Sequence, residues 1–514
     1  MKIAQTILFL ICTTGICAQQ IGDFLSVEPL PQNNDFVIPS SHSFQKIIER
    51  GDSLTQGGTL PGNNDFTGYV PIGGSSENGY LSVNSELTPG GVTILDINFN
   101  SSTKLWETSF SQAIDFSSYA GTTRNCSGSV TPWNTIISCE EDTNQDDING
   151  DGYFDYGWCV EIDPVSKTII DKRWALGNFK HENIIVHDNL RTVYEGADSN
   201  PGYLFKFVSD SIEDLSSGKL YVYKGPKNGP GGIWIQIQNT SQLDRNNTLI
   251  RCDKAGATIF NGIEDVEIGP DGWVYFAVKG ENQVYRFLDS DPLIGLTVFK
   301  MESFVGDATY SISHEGGVSP AYWGHGNDNL AFDGIGNLWV LQDGGYNNIW
   351  VVAPNHTQAS PEVRVFGRVP MGSEPTGITF SPDFRFLFMS IQHPFLTNAA
   401  TSQIDAAGQS VAFDKDVTLV IALNDNLGVP WDAEPFLVHP NPSSGRFTVN
   451  LGQNYEEIEV TVVGLSGQII KQLNFVNTDE LIVDLTNQTE GIYIFKIKHS
   501  PDQELQLKVL KVKN

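Results

Sequence analysis

Four stretches of the chain repeat one pattern, and that repetition limits the possible folds more than any other feature. Each opens on a turn rich in Asp, Gly or Asn and continues through an alternating apolar strand into a second strand. Asp188 to Val208 reads DNLRTVYEGADSNPGYLFKFV, and Gly269 to Phe287 reads GPDGWVYFAVKGENQVYRF. Asp333 to Val352 reads DGIGNLWVLQDGGYNNIWVV, and Ser381 to Gln392 reads SPDFRFLFMSIQ. Period-2 alternation after such turns marks strands in hairpins. Segments with a helical period are scarce. An all-β fold is expected, with a β-propeller as first choice, because a closed ring of small sheets leaves few exposed edges. A pair of sandwiches is the alternative. The spacing between units is too uneven to count blades.

Fifty glycines and 25 prolines agree with a turn-rich chain. The formal net charge is −30. Such a chain has no basic surface for nucleic acid. The acidic excess can serve solubility outside the cell, or some of it can bind hard cations such as calcium.

The first residues, MKIAQTILFLICTTGICAQQ, read as a secretory signal over 1–18. Lys2 supplies the positive start, Ile7 to Cys12 the apolar run, and Ala18 a small residue for cleavage. That run is too short to span a bilayer, and no other segment reads as a transmembrane helix. Export leaves Cys126, Cys139, Cys159 and Cys252, too few for a disulfide framework in a chain of this length.

The stretch TRNCSGSVTPWNTIISCEED holds two of these cysteines beside three carboxylates. A Cys126–Cys139 disulfide suits an exported chain. Metal ligation is the other reading. A thiolate suits iron or zinc, carboxylates suit calcium or ferric iron, and a strand–turn–strand would bring Cys126 and Glu141 into one pocket. A second motif, DTNQDDINGDGYFD, alternates Asp147, Asn149 and Asp151 before Gly152, as the first positions of an EF-hand-type calcium loop do. Trp158 occupies the position of the final glutamate. A structural calcium turn is expected there, against a flexible acidic loop. The chain contains no serine-hydrolase elbow, phosphate loop or dinucleotide fingerprint.

An ordered set of motifs resembles the PhoX family of alkaline phosphatases between about Gly68 and about Leu423. It begins with Asn125-Cys126-Ser127-Gly128, Thr131-Pro132-Trp133 and Cys139-Glu140-Glu141. His181-Glu182, Tyr194-Glu195-Gly196-Ala197-Asp198 and Glu264-Asp265 follow. Asp328-Asn329-Leu330-Ala331-Phe332-Asp333, Glu374-Pro375-Thr376-Gly377 and Gln392-His393-Pro394 complete it. The resemblance implies a β-propeller phosphomonoesterase with an iron and calcium cluster (Fe3+ and Ca2+). By it, Cys126 is an iron ligand, Glu141, Glu182 and Glu264 are cluster ligands, and Glu86 is a calcium candidate. Asp328, Asn329, Glu374 and His393 match positions near the pocket; Glu264, Asp328, Asn329 and His393 are the catalytic candidates and Glu374 a metal candidate. Where the family has Arg-Pro-Glu, this chain has Gly262-Ile263-Glu264. The arginine would clamp phosphate oxygens in a bidentate fork. Lys206, Lys254, Lys279 and Arg286 are the candidate replacements.

The composition changes after Asp432. Residues 436–514 read as a small β-sandwich that resembles the C-terminal sorting domain of the type IX secretion system, through Pro440-Asn441-Pro442 with Gly445, Gly464-Leu465-Ser466-Gly467, Gly491-Ile492-Tyr493 and the lysine-bearing last strand. The expected organisation is therefore a signal at 1–18, a propeller over 19–432 and a sorting domain over 436–514. The expected protein is a secreted or cell-surface monomer. It acts on a small phosphorylated substrate, meets the type IX secretion machinery, and binds no nucleic acid. A diesterase or phytase is a related possibility. The alternative function is a non-catalytic, calcium-stabilised surface propeller that binds a protein or glycan.

Overall fold

The computed structural model describes residues 20–428, 437–464, 468–500 and 503–513. The expected signal at 1–18 and the Leu465-Ser466-Gly467 turn lie outside them. Contacts divide the chain into two units, Met1–Gly428 and Val429–Asn514. Among the described residues, no helix is long and apolar enough to cross a membrane.

The first unit is a six-bladed β-propeller. Its innermost strands are Asn64–Pro71, Asn125–Val130, His181–Val186, Ile263–Ile268, Asn327–Phe332 and Glu374–Phe380. They belong to blades one to six, and each blade is an antiparallel sheet. The sixth blade closes the ring. Its outer strand, His42–Glu49, comes from the start of the unit and pairs with Val417–Leu423 from the end. Joining the two chain ends in one sheet keeps the ring from unzipping and leaves only short edges.

The turn residues that mark the repeats bind their own backbone. Asp333 Oδ1 accepts the Ile335 and Asn337 amides, and its Oδ2 accepts the Trp339 indole N–H at 2.9 Å. Asn189, Asp271 and Asp383 accept amides two residues on in blades three, four and six. Short polar side chains thus set the hairpins. Apolar side chains of neighbouring blades fill the six gaps around the ring. Between blades one and six, for example, Tyr69 stacks on Phe388 at 5.0 Å, with Trp106 edge-on to both.

Blade two carries a buried ion pair. Lys172 Nζ donates to both oxygens of Glu140, at 2.8 and 3.1 Å, and both side chains are fully buried. Removing one partner leaves a buried charge uncompensated. Lys172→Met should therefore lower unfolding stability by about 3–5 kcal/mol, measured by denaturant titration. An unchanged midpoint would contradict it.

In the second unit, strands Arg446–Gly464, Ile469–Asp484, Gly491–Ser500 and Gln503–Lys511 join Leu437–His439 in one sheet. A parallel bridge between Ser443 and Lys511 brings the last strand back towards the first, so the sheet curls nearly shut. Phe447, Val460, Val462, Phe495 and Ile497 fill its core.

Candidate metal centre

The innermost hairpin of every blade closes on an equivalent pair: Asn64 with Ser85, Asn125 with Glu140, His181 with Ala197, Ile263 with Val278, Asn327 with Gln342, and Glu374 with Gln392. Each inner strand also shifts register near that pair. A bulge adds a residue and re-aims side chains that a regular strand would alternate. In blades one to five the first bulge residue is Asp65, Cys126, Glu182, Glu264 or Asp328. In blade six Glu374 itself takes the place. The residue that follows each second strand adds Glu86, Glu141, Asp198, Lys279, Asp343 and His393. Two rings of six side chains result.

Their ligand atoms converge. Asp65, Glu86 and Cys126 lie within 4.8 Å of one another. The same limit holds for Cys126, Glu141 and Glu182, for Glu182, Asp198 and Glu264, and for Asp328, Asp343 and Glu374. Nine carboxyl groups and one thiol are therefore within reach of multivalent cations. Four cationic side chains answer them. Arg124 pairs with Glu86 at 2.6 Å and reaches Glu141 at 3.7 Å. Lys180 lies 3.9 Å from Glu141. Lys279 contacts Asp343 at 2.8 Å, Asp328 at 3.5 Å and Glu264 at 3.7 Å. His393 Nε2 meets Glu374 at 2.7 Å.

Burial and mutual repulsion act together on the acids. Burial, with Glu264 and Glu141 nearby, pushes Glu182 well above the usual carboxylate range. Burial and Glu86 push Glu141 up to about 9. Burial raises Asp328 to about 6 against the pull of Lys279. The Cys126 thiol is raised by burial, then by Asp65 and Glu182. Burial would lower Lys279, but Glu264, Asp328 and Asp343 outweigh it and hold it charged. The hydrogen bond to Glu374 pushes His393 up to about 9.

The donor set fits bound cations. Glu182 Oε2 and Glu264 Oε1 are buried without a hydrogen-bond partner. Buried carboxylates in this state are stable only when protonated or when a cation neutralises them. One thiolate among oxygens suits a softer ion beside hard ones.

The sequence candidates separate clearly. Cys126, Glu141, Glu182, Glu264, Glu86, Glu374, Asp328 and His393 all stand on the two rings. Asn329 stands beside the rings, its amide donating to Asp328 Oδ1 at 3.0 Å. Its amide donates to Ser127 Oγ of the second blade at 3.3 Å and its oxygen accepts the Gly377 amide of the sixth at 2.6 Å, tying strands across the axis. Asp147 and Asp151 are in none of the ligand groups; Asp147 accepts the Asp151 and Gly152 amides, and Asn149 Oδ1 the Asp151 amide, of their own loop. The Cys126–Cys139 disulfide does not form: the four cysteines among the described residues are free, and Cys126 Sγ faces Asp65 at 3.3 Å. Asp65, Asp198, Asp343, Arg124 and Lys180 were not expected from the sequence. The signal for the first three is their position one step from a hairpin's closing pair.

A cavity of about 460 Å³ opens beside Glu264 and is lined by Lys180, Asp198, Asn261, Gly262 and Lys279 among others. Gly262 has φ +74°, and a Cβ there would stand 2.7 Å from Asp198 Oδ1. A side chain here would be strained by the positive φ and would displace the Asp198 carboxylate, and the arginine has no equivalent at this position. Of the four proposed replacements only Lys279 reaches the cavity. Lys206 is spent on Asp289 at 2.7 Å, Arg286 on Glu302 at 2.6 Å, and Lys254 is exposed on a short helix, Thr248–Ala255.

The family model described as alkaline phosphatase PhoX matches residues 100–395. The model of a secretion system C-terminal sorting domain matches residues 437–511. A crystal structure of PhoX from Pseudomonas fluorescens with vanadate, a transition state analogue, is 21% identical and covers 79% of this chain and 99% of its own, with a TM-score of 0.62. That likeness shows the fold. Streptogramin B lyase (10% identical, 74% of this chain, 98% of its own, TM-score 0.38) and a gluconolactonase from Xanthomonas campestris (10%, 79%, 98%, 0.34) are more distant. A comparison with curated proteins gives no match.

Proposed function

The chain belongs to the PhoX alkaline phosphatase family, and we propose that it hydrolyses phosphate monoesters outside the cell with a mixed iron and calcium cluster. The observation that carries this reading is the pair of acidic rings, whose ligand atoms converge around one thiol. Cys126, Glu141 and Glu182 would hold iron. Asp65 with Glu86, Asp198 with Glu264, and Asp328 with Asp343 and Glu374 would hold calcium. The chemistry such a cluster supplies when bound is neutralisation of the charge that develops on the phosphoryl oxygens.

The chain's own groups do the rest. Lys279 and Lys180, at the mouth of the cavity beside Glu264, meet the phosphate dianion in place of the family's arginine. A lysine is a point charge, so it attracts the phosphate without the fixed orientation of a guanidinium fork. Arg124 offers a guanidinium near Glu86 and Glu141. His393 holds a proton at Nε2 against Glu374, within the second ring. The vanadate in the Pseudomonas fluorescens structure supports phosphoryl transfer as the reaction of the family. The sorting-domain match supports export to the cell surface or medium through the type IX secretion machinery. The protein would act as a monomer.

Release of phosphate from a chromogenic monoester, compared with the matching diester, tests the reading. Monoester turnover should dominate, and Lys279→Met should lower kcat/KM by roughly a hundredfold. Equal rates in wild type and variant would remove Lys279 from phosphate binding. No turnover of any monoester would sink the phosphatase.

A further inference from the structure

A second group of ligating side chains lies within the apolar layer between blades two and three, outside the two rings. Cys139 and Cys159 face each other on neighbouring strands of blade two, with their sulfurs 3.7 Å apart. Cys159 Sγ lies 3.3 Å from His181 Nδ1, and that nitrogen lies 3.1 Å from Glu195 Oε2. All four side chains are fully buried. Their surroundings are Ile137, Leu176, Phe179, Ile184 and Phe205.

The hydrogen bonds inside this group do not close. His181 Nε2 is turned to the Gly177 carbonyl at 3.0 Å and donates there. That leaves Nδ1 facing both Cys159 and Glu195 with one hydrogen bond to make, accepting a proton in the neutral ring or donating to Glu195 Oε2 in the charged one. Glu195 Oε1 has no partner at all. An unsatisfied carboxyl oxygen in an apolar layer is costly.

We propose that Cys139, Cys159, His181 and Glu195 form a structural site for a zinc-class divalent cation that joins blade two to blade three. A tetrahedral site with metal–sulfur bonds of about 2.3 Å and metal–nitrogen and metal–oxygen bonds of about 2.0–2.1 Å has edges of about 3.3–3.8 Å. The three neighbouring separations are 3.7, 3.3 and 3.1 Å. Cys159 Sγ, His181 Nδ1 and a Glu195 oxygen all lie within 4.8 Å of one another; Cys139 Sγ, 3.7 Å from Cys159 Sγ, stands outside that group and becomes the fourth donor by turning about its Cα–Cβ bond. Two sulfurs, an imidazole and one carboxylate suit zinc better than calcium. With Cys139 turned in, four protein donors leave no open position, and the burial of all four assigns the ion a structural task, because a catalytic zinc keeps an open position. The side chains come from strands of two blades, so the ion would lock that interface.

Metal content of the full-length protein tests this in a Cys126→Ser background, where the thiol of the rings cannot contribute. After dialysis against a chelator that strips calcium, about one zinc per chain should remain. Adding Cys139→Ser should remove it. Should that double variant fail to fold, cobalt loaded into the Cys126→Ser protein gives the reading, through the thiolate-to-cobalt absorption of a tetrahedral two-sulfur site. Two results would overturn the proposal. One is zinc and cobalt both absent from Cys126→Ser protein that is folded. The other is an intact mass lower by the two hydrogens of a Cys139–Cys159 disulfide.

Discussion

Stripped of its cations by a chelator, the protein is expected to lose stability as pH rises from about 4 to about 9, Asp328 giving its share below pH 6 and Glu374 and Glu141 theirs up to pH 8 and 9. Asp328 is raised to about 6, Glu374 to about 8 and Glu141 to about 9, chiefly by burial. A carboxyl whose folded pKa lies above its unfolded one stabilises fully below the unfolded value. That stability is lost as pH climbs through the folded value, because the unfolded chain gives up its proton first. Each such group contributes about 1.4 kcal/mol per pH unit across its window. The loss between pH 6 and 9 should therefore be on the order of 5 kcal/mol. With calcium restored the dependence should flatten, because a bound cation favours the ionised carboxylates. Thermal unfolding midpoints at several pH values, with and without chelator, give the comparison. Coincident curves would mean that these acids do not share bound cations.

Glu182→Gln should abolish most phosphate release, by a thousandfold or more in kcat if the cluster carries the chemistry. Glu182 belongs to two of the ligand groups, beside Cys126 and Glu141 on one side and Asp198 and Glu264 on the other. Its loss opens two places at once. The neutral amide also removes a buried, unpartnered acid, so the variant should be no less stable than wild type without cations. Lost activity with retained fold separates a ligand from a packing residue. Activity within tenfold of wild type would exclude Glu182 from the cluster.

The propeller was legible in the turns. Asp333 and its counterparts bind amides two residues on, and the alternation after them is the second strand of a blade. The blade count was not. A long loop after Glu141, two short helices at Gln242–Asn246 and Thr248–Ala255, and an extra hairpin at Thr309–His314 and Gly317–Tyr322 break the spacing. The site was half legible. Cys126, Glu141, Glu182 and Glu264 stood in motifs with family likeness; Asp198 ended one of those motifs without being singled out, and Asp65 and Asp343 carry no local signature. They are found only when the bulges and closing pairs of the hairpins are aligned, and register is a property of pairing across strands. Asn329 shows the converse: its motif matches, yet the bulge turns it to the axis, where it ties opposite strands. The place of Lys279 also depends on register, since it follows its strand just as Glu86 and Glu141 follow theirs.

Elemental analysis of the purified wild-type protein and of Cys126→Ser tests the central claim most directly. The two acidic rings around a single thiol predict iron and calcium together in the wild type, and loss of iron with retention of calcium in Cys126→Ser. Calcium without iron in the wild type, or equal iron in both proteins, would contradict a thiolate-anchored mixed cluster at this site.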